Sequence, residues 1–318
     1  MPARLETLSF TKLLSGDKAE MGRLLVSCQT DGFYYLDLRD WKDGQFVRLL
    51  DSLNRIMNEW FKLPLEEKEK AVALSDAQGY KPLGQQSGPI EKTRDGYESL
   101  RVSRTQLLDG EPLSAVLSDN LADFRMLLDQ SHYITMSILG WLSDALQVPV
   151  PERFENYHPD DGTSRSAFDF IHHPPKPDHG GMGHNMHTDL GLLTLLFNQQ
   201  PGLQVITPQT NEWQYVTPRH GFAVMNVGDT LMMASQDRLR SALHRVYPMG
   251  GTMKEHRYST AYFLRPSDSA TVKDLEGNIV TAEEWFKRKF KSFTMNLEEQ
   301  RNDSLAFGGI DRTLKIKV

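Results

Sequence analysis

Gly183-His184-Asn185-Met186-His187-Thr188-Asp189-Leu190-Gly191 is the stretch on which the reading of this chain turns. Within it, His187 and Asp189 are separated by a single residue. On an extended strand, residues i and i+2 face the same way, so an imidazole nitrogen and a carboxylate oxygen converge on one point. A metal site needs a third ligand. His244, in Ser241-Ala242-Leu243-His244-Arg245-Val246, is the best candidate. Two imidazoles and one carboxylate on one face of an octahedron suit iron(II), and they leave the opposite positions open for a chelating cosubstrate and for dioxygen.

A His-x-Asp pair alone recurs by chance, and its bland reading is a strand with a half-buried His and an Asp at its exit turn. The surrounding sequence decides the matter. His187-Thr188-Asp189-Leu190-Gly191-Leu192-Leu193-Thr194-Leu195-Leu196 passes from polar groups straight into an apolar strand. Gly202-Leu203-Gln204-Val205 supplies the next strand. Downstream of His244, Arg257-Tyr258-Ser259 places two polar groups on one strand face.

With these motifs in hand, the chain resembles the iron(II)/2-oxoglutarate-dependent dioxygenases, in particular the branch similar to isopenicillin N synthase. That branch carries H-x-D, a distal His and R-x-S in this order and at about these separations. The resemblance extends to Gly32-Phe33-Tyr34-Tyr35-Leu36, to Leu63-Pro64-Leu65-Glu66-Glu67-Lys68-Glu69-Lys70 and to Phe222-Ala223-Val224-Met225-Asn226-Val227-Gly228-Asp229, and it is thin over the last fifty or so residues. It implies a mainly β fold with flanking helices, a double-stranded β-helix or jelly roll. Residues 1–150 would form a mixed N-terminal region packed on the barrel, and residues 151–318 the catalytic core with a C-terminal helical segment, together one compact unit.

The same resemblance implies iron(II) on His187, Asp189 and His244, with 2-oxoglutarate and dioxygen as cosubstrates. Oxidative decarboxylation of the keto acid to succinate and CO2 would be coupled to hydroxylation, desaturation or cyclisation of a small organic substrate. Arg257 suits the far carboxylate of 2-oxoglutarate, because a guanidinium pairs with a carboxylate bidentately in a fixed plane. Ser259 can add a hydroxyl hydrogen bond. His173 stands where relatives generally have a Tyr whose hydroxyl helps hold the cosubstrate, and an imidazole can also donate. Phe263, Tyr97 and Arg101 fall at positions that border the substrate in relatives. Packing in the core for Phe263, and a solvated surface for Arg101, are the plain structural readings. His184, three residues from His187, would point to the opposite face of a straight strand. His172, His179, His220 and His256 read as surface or structural groups.

Composition is that of an ordinary globular protein, with 39% hydrophobic and 25% charged residues among 318. A net charge of −6 gives no electrostatic case for nucleic acid or an anionic membrane as partner. The single cysteine, Cys28, rules out an intrachain disulfide and suits a reducing compartment; a cytoplasmic location is expected. Cys28 itself reads as a small buried apolar residue. The N-terminus lacks a secretory pattern, and no apolar run is long enough to span a bilayer.

In order, the chain predicts a short strand at Leu5–Phe10, a helix through Met21–Leu25 and a buried strand at Gly32–Leu36. Leu50, Leu53, Ile56, Met57 and Trp60 recur at helical spacing, as do Phe124, Leu128, Ile134, Ile138 and Leu142 in a long helix expected to brace the barrel. Gly79 to Gly96 reads as a long loop. Beyond Thr163, short strands punctuated by Gly and Pro argue for antiparallel β architecture. Two other readings stay open: an oxidase of the isopenicillin N synthase type that uses no 2-oxoglutarate, and a non-catalytic small-molecule module on the same barrel. The substrate itself is not legible, and a tailoring role in specialised metabolism rests on analogy.

Overall fold

Three neighbouring strands show how the fold divides its residues. Along Leu193–Asn198, Leu193, Leu195 and Phe197 enter the hydrophobic core, while Thr194, Leu196 and Asn198 line a cavity. Arg257–Leu264 repeats the pattern, with Tyr258, Tyr262 and Leu264 in the core and Arg257, Ser259, Ala261 and Phe263 on the cavity. So does Ala167–His173, with Phe168 and Phe170 in the core and Asp169, Ile171 and His173 on the cavity. Alternation sends one set, apolar or aromatic, to the helix-covered face and the other, which holds the charged and polar groups together with Ile171, Leu196, Ala261 and Phe263, to the cavity.

The structure, a computed structural model, describes residues 2–71, 78–86, 93–108, 113–159, 163–175, 183–274, 276–293, 295 and 299. Twelve strands build two sheets: β1 (Thr7–Ser9), β2 (Phe33–Asp37), β3 (Gly79–Lys81), β4 (Glu98–Ser103), β5 (Ala167–His173), β6 (His184–His187), β7 (Leu193–Asn198), β8 (Leu203–Ile206), β9 (Trp213–Tyr215), β10 (Phe222–Val227), β11 (His244–Val246) and β12 (Arg257–Leu264). The larger sheet runs β1-β2-β10-β7-β12-β5-β4-β3 and the smaller β6-β11-β8-β9. All neighbours are antiparallel except β1 and β2. The cavity lies between the sheets, lined from both. This is the double-stranded β-helix that the sequence resemblance implies.

Helices cover the outer face of the larger sheet. Gln45–Trp60 buries Phe46, Leu50, Leu53, Met57 and Trp60 at spacings of three and four, one stripe of an amphipathic helix. Leu121–Ala145 buries Phe124, Leu128, Ile134, Ile138 and Leu142 and packs on that helix and on Lys18–Thr30. Cys28, on Lys18–Thr30, is fully buried in the same core. The expected long loop is shorter than the sequence suggested. Gly79–Lys81 pairs with β4, and Asp95 accepts from the backbone of Gly84 and Gln86 at 2.6 and 2.9 Å. Backbone pairing across 20 residues leaves no local periodicity to read. His179 lies outside the described residues.

His172 is structural, as expected. Its Nδ1 lies 2.8 Å from the buried Glu98, which also takes Lys68 Nζ at 2.6 Å and the Tyr80 hydroxyl. Burial works to raise the Glu98 pKa, but the bonds from His172, Lys68 and Tyr80 prevail and hold it below the usual carboxylate range. The lowered folded value means stabilisation that is present at neutral pH, above the unfolded value of about 4.3, and lost as pH falls through the folded one. Glu98→Gln is therefore expected to cost about 1–3 kcal/mol at pH 7, with the difference from wild type shrinking towards pH 3. Urea unfolding at the two pH values checks this; an equal difference at both would refute it.

Candidate metal centre

Among the described residues, one group of three ligand-type side chains converges closely enough to hold a metal ion: His187, Asp189 and His244, all buried. His187 and His244 sit directly opposite each other on β6 and β11, their ring centroids 4.2 Å apart. Asp189 Oδ1 lies 3.6 Å from Nε2 of each. β6 ends at His187, so Asp189 sits two residues on in the turn into β7, not on the extended strand that the spacing predicted.

The orientation of each group suits a cation. Nδ1 of His187 lies 2.8 Å from the Asn185 carbonyl, and Nδ1 of His244 lies 3.3 Å from that of Ala242. A carbonyl can only accept, so the ring proton belongs on Nδ1 and the Nε2 lone pair faces the centre. Asp189 Oδ2 accepts from Thr194 Oγ1 at 2.6 Å and from Asn226 Nδ2 at 2.7 Å, which leaves Oδ1 for the ion. Burial opposes ionisation of Asp189, but the pull of His244 and His187 is larger and its pKa falls. Burial and then His187 push His244 down to about 4, so at neutral pH it is a neutral imidazole able to coordinate.

The turn that carries Asp189 is clamped by backbone contacts. Asp229 N–H donates to the Asp189 carbonyl at 2.8 Å and Gly228 N–H to that of Leu192 at 2.9 Å. A Cβ at Gly228 would stand 2.3 Å from the Gly191 carbonyl oxygen, so only glycine fits this approach. Behind the turn, Lys289 Nζ is fully buried. It donates to Thr188 Oγ1 at 2.6 Å and pairs with Asp229, whose other oxygen accepts from Ser241 Oγ at 2.7 Å.

His184 departs from expectation. Its ring stacks on His187 at 4.4 Å and lines the cavity, whereas a straight strand would turn it away. The reason is a shift in register: Val246 pairs with His184 and His244 with His187, so four residues of β6 span three of β11. Such a bulge brings i and i+3 to the same side.

At one end of the cavity Arg257 is 2% exposed. Its guanidinium donates to Asn198 Oδ1 at 2.7 Å, to the Pro201 carbonyl at 3.2 Å and to Ser259 Oγ at 3.4 Å, with no carboxylate against it among the described residues. Burial lowers its pKa to about 10, so the charge remains at neutral pH. His173, opposite Arg257 in the β5–β12 register, holds Nδ1 3.5 Å from the guanidinium, and its buried Nε2 has no partner. Burial, then Arg257, push the His173 pKa well below its ordinary value. A buried cation beside unfilled polar atoms fits a dicarboxylate such as 2-oxoglutarate. Tyr97, Arg101 and Phe263 all reach the same cavity. Arg101 is bound to Asp169 at 2.8 Å instead of solvated, and Tyr97 packs on His173 and His184.

The helix Ala282–Ser292 supplies what the sequence reading passed over. Thr281 and Glu284 form a reciprocal capping box at its start, and its end brings Phe290 and Phe293 to the cavity, Phe293 edge-on to His187 at 5.7 Å. Lys289 shares the buried stripe of Trp285 and Phe286, and a lysine at apolar spacing was the available signal.

Fold and site together define a non-haem iron(II) oxygenase. The family model described as the 2OG-Fe(II) oxygenase superfamily matches residues 164–266, and that of the non-haem dioxygenase N-terminal region matches residues 5–119. The chain belongs to this superfamily and is an iron(II)/2-oxoglutarate-dependent dioxygenase. It is 41% identical to a 2-oxoglutarate-dependent dioxygenase of Gibberella zeae over 98% of this chain and 95% of that one. A namesake from Glarea lozoyensis is also 41% identical, over 98% and 94%. Among solved structures, Neurospora crassa T7H with α-ketoglutarate superposes with a TM-score of 0.75 at 23% identity, covering 90% of this chain and 96% of that one. The T7H complex with α-ketoglutarate and thymine gives 0.74 at 22%, over 91% and 96%. Among the described residues, no helix is long and apolar enough to cross a membrane.

Removing one partner of a buried pair leaves an uncompensated charge, at a cost of about 3–5 kcal/mol. Lys289→Met should therefore destabilise the fold by about that much, and adding Asp229→Asn should recover a good part of the loss. A double-mutant cycle from chemical denaturation measures the coupling; additive losses would show that the pair is not coupled.

Proposed function

We propose that His187, Asp189 and His244 hold the iron, that Arg257, Ser259 and His173 receive 2-oxoglutarate, and that Phe263, Tyr97 and Arg101 border a small organic substrate. The single observation that carries the reading is the buried guanidinium of Arg257, which has no counter-ion among the described residues in the cavity that the three ligands face. With iron and 2-oxoglutarate bound, dioxygen would be the oxidant for a C–H bond, the keto acid giving up two electrons as it decarboxylates; the protein binds, orients and excludes water.

Each residue has a defined task. The guanidinium of Arg257 offers charge-assisted donors to the far carboxylate. Ser259 Oγ accepts from Arg257, so its own proton is free to donate to the same carboxylate. With Nδ1 of His173 turned to the guanidinium, its proton belongs on Nε2, where a donor replaces the hydroxyl expected from relatives. Thr194 and Asn226 keep the Asp189 carboxylate from rotating. Phe293 and Phe290 shield the centre on the side of the C-terminal helix, which limits water entry and strengthens every polar contact inside.

The similar proteins named as 2-oxoglutarate-dependent dioxygenases favour this reading over an oxidase that dispenses with the keto acid, and over a non-catalytic binding module. A small-molecule substrate is supported by the thymine complex of the structural neighbour, and a tailoring role in specialised metabolism goes with it as part of the proposal.

His187→Ala is expected to abolish iron binding and succinate formation while leaving the circular dichroism spectrum unchanged. Arg257→Gln is expected to raise the KM for 2-oxoglutarate by about ten- to a hundredfold, corresponding to about 1.5–3 kcal/mol for a hydrogen bond to a charged group. Iron titration and succinate release measure both. Wild-type succinate release from His187→Ala would remove that ligand from the site, and an unchanged KM in Arg257→Gln would remove the carboxylate partner.

A further inference from the structure

Across the cavity from Arg257, β12 continues through Phe263 to a second buried guanidinium, Arg265. Odd-numbered residues of this strand all reach the cavity, so it carries a cation towards each end. Arg265 is held firmly. Its backbone N–H donates to Ser166 Oγ at 2.9 Å and its carbonyl accepts from Ser166 Oγ at 3.2 Å, while its NH1 group donates to the Arg165 carbonyl at 2.5 Å. The guanidinium lies 5.2 Å from the ring centroids of both Phe263 and Phe286. No carboxylate pairs with it directly among the described residues, and its buried Nε has no hydrogen-bond partner.

A complementary group faces the same space. Asp169, 3% exposed on β5, bonds Arg101 through Oδ2 at 2.8 Å. Its other oxygen, Oδ1, is buried and accepts from no donor among the described residues. Asp169 and Arg101 both act electrostatically on Arg265, so the three belong to one cluster. Asp169 pairs directly with Arg101, whereas no carboxylate among the described residues pairs directly with Arg265, on which Asp169 and Asp189 act only at longer range. A buried acceptor and a buried cation left open in one cavity each leave a desolvation penalty that a bound molecule would relieve.

We propose that Asp169 and Arg265 form the specificity subsite for the primary substrate, and that this substrate is a small amino or hydroxy acid. Its carboxylate seats on Arg265, and its ammonium or hydroxyl donates to Asp169 Oδ1. Phe263 and Phe290 form the apolar wall beside it, Phe290 lying 6.0 Å from the Arg101 guanidinium. A neutral donor–acceptor ring would fill Asp169 but leave the positive charge unmatched, and a plain fatty acid would do the reverse. The assignment rests on the dioxygenase reading above. It concerns the opposite end of β12 from Arg257, so the two ends can be tested separately.

Anaerobic calorimetric titration of the iron(II)-loaded protein with 2-oxoglutarate comes first, followed by titration of that complex with the common L-amino acids, their 2-hydroxy analogues, the matching carboxamides and uracil. At least one free acid is expected to bind, with its carboxamide weaker by about tenfold or more, as loss of a charge-assisted contact implies. Asp169→Asn, whose amide oxygen can still accept from Arg101, should weaken the amino or hydroxy acid by about tenfold. Arg265→Met should do the same, and both variants should keep the wild-type affinity for 2-oxoglutarate. Carboxamides or uracil binding as tightly as the acids would overturn the proposal without needing any variant. So would binding of 2-oxoglutarate with no member of the panel following it. Failure of 2-oxoglutarate itself to bind would bring down the underlying reading, and this one with it.

Discussion

Between the two sheets, an apolar cluster in which Phe33, Tyr35 and Val224 of the larger sheet pack with Leu203 and Val205 of the smaller one gives way to a cavity that carries buried charges. The inner face of the larger sheet carries Arg257, Ser259, His173 and Asp169, groups that gain little from burial and lose hydration. Most of the apolar burial, the main favourable term in folding, comes from the outer face. Leu193, Leu195, Phe197, Phe168, Phe170, Tyr258 and Tyr262 point outward, and the helices Gln45–Trp60 and Leu121–Ala145 cover them. The helical coat is thus the hydrophobic core of the protein, displaced to one side of the sheet. A reactive cavity and a stable fold are compatible here because strand alternation keeps them on opposite faces.

The polar interior is also held in a set geometry before any ligand arrives. Each ligand side chain has its second polar atom engaged: the histidines by backbone carbonyls, and Asp189 by Thr194 and Asn226. Such outer contacts fix ring orientation and ligand basicity. The Lys289–Asp229 pair then ties the C-terminal helix to Thr188, between the two ligands of the motif, and to Ser241, three residues before the third. That helix is both a wall of the cavity and a brace for the metal centre.

Much of this was readable from the chain. The H-x-D pair, the distal His244 and the R-x-S pair are local or ordered features; a strand's period of two places Arg257 and Ser259 on one face, while Asp189 meets His187 from the turn after β6. The amphipathic stripes of Gln45–Trp60 and Leu121–Ala145 were likewise visible, because each helix records its own buried face. What was missed depends on partners far away in sequence. A straight strand would turn His184 outward, and the bulge opposite β11 exists only in the pairing. Gly79–Lys81 was read as loop because its strand character comes from β4. Lys289 reads as one more basic residue until Asp229, 60 residues earlier, is brought against it.

By itself, then, the sequence determined the chemical kinds of ligand, their order along the chain and the alternation that turns Arg257 and Ser259 inward. All three follow from side-chain identity and backbone period, which are local properties. Tertiary structure alone decided which charges end up paired and which stay open. Asp189, Asp169 and Asp229 are equivalent on paper, yet one faces two histidines, one keeps a free lone pair beside an arginine and one neutralises a buried lysine. The energy of a charge depends on distance and dielectric, and only the packed sheets and helices set those.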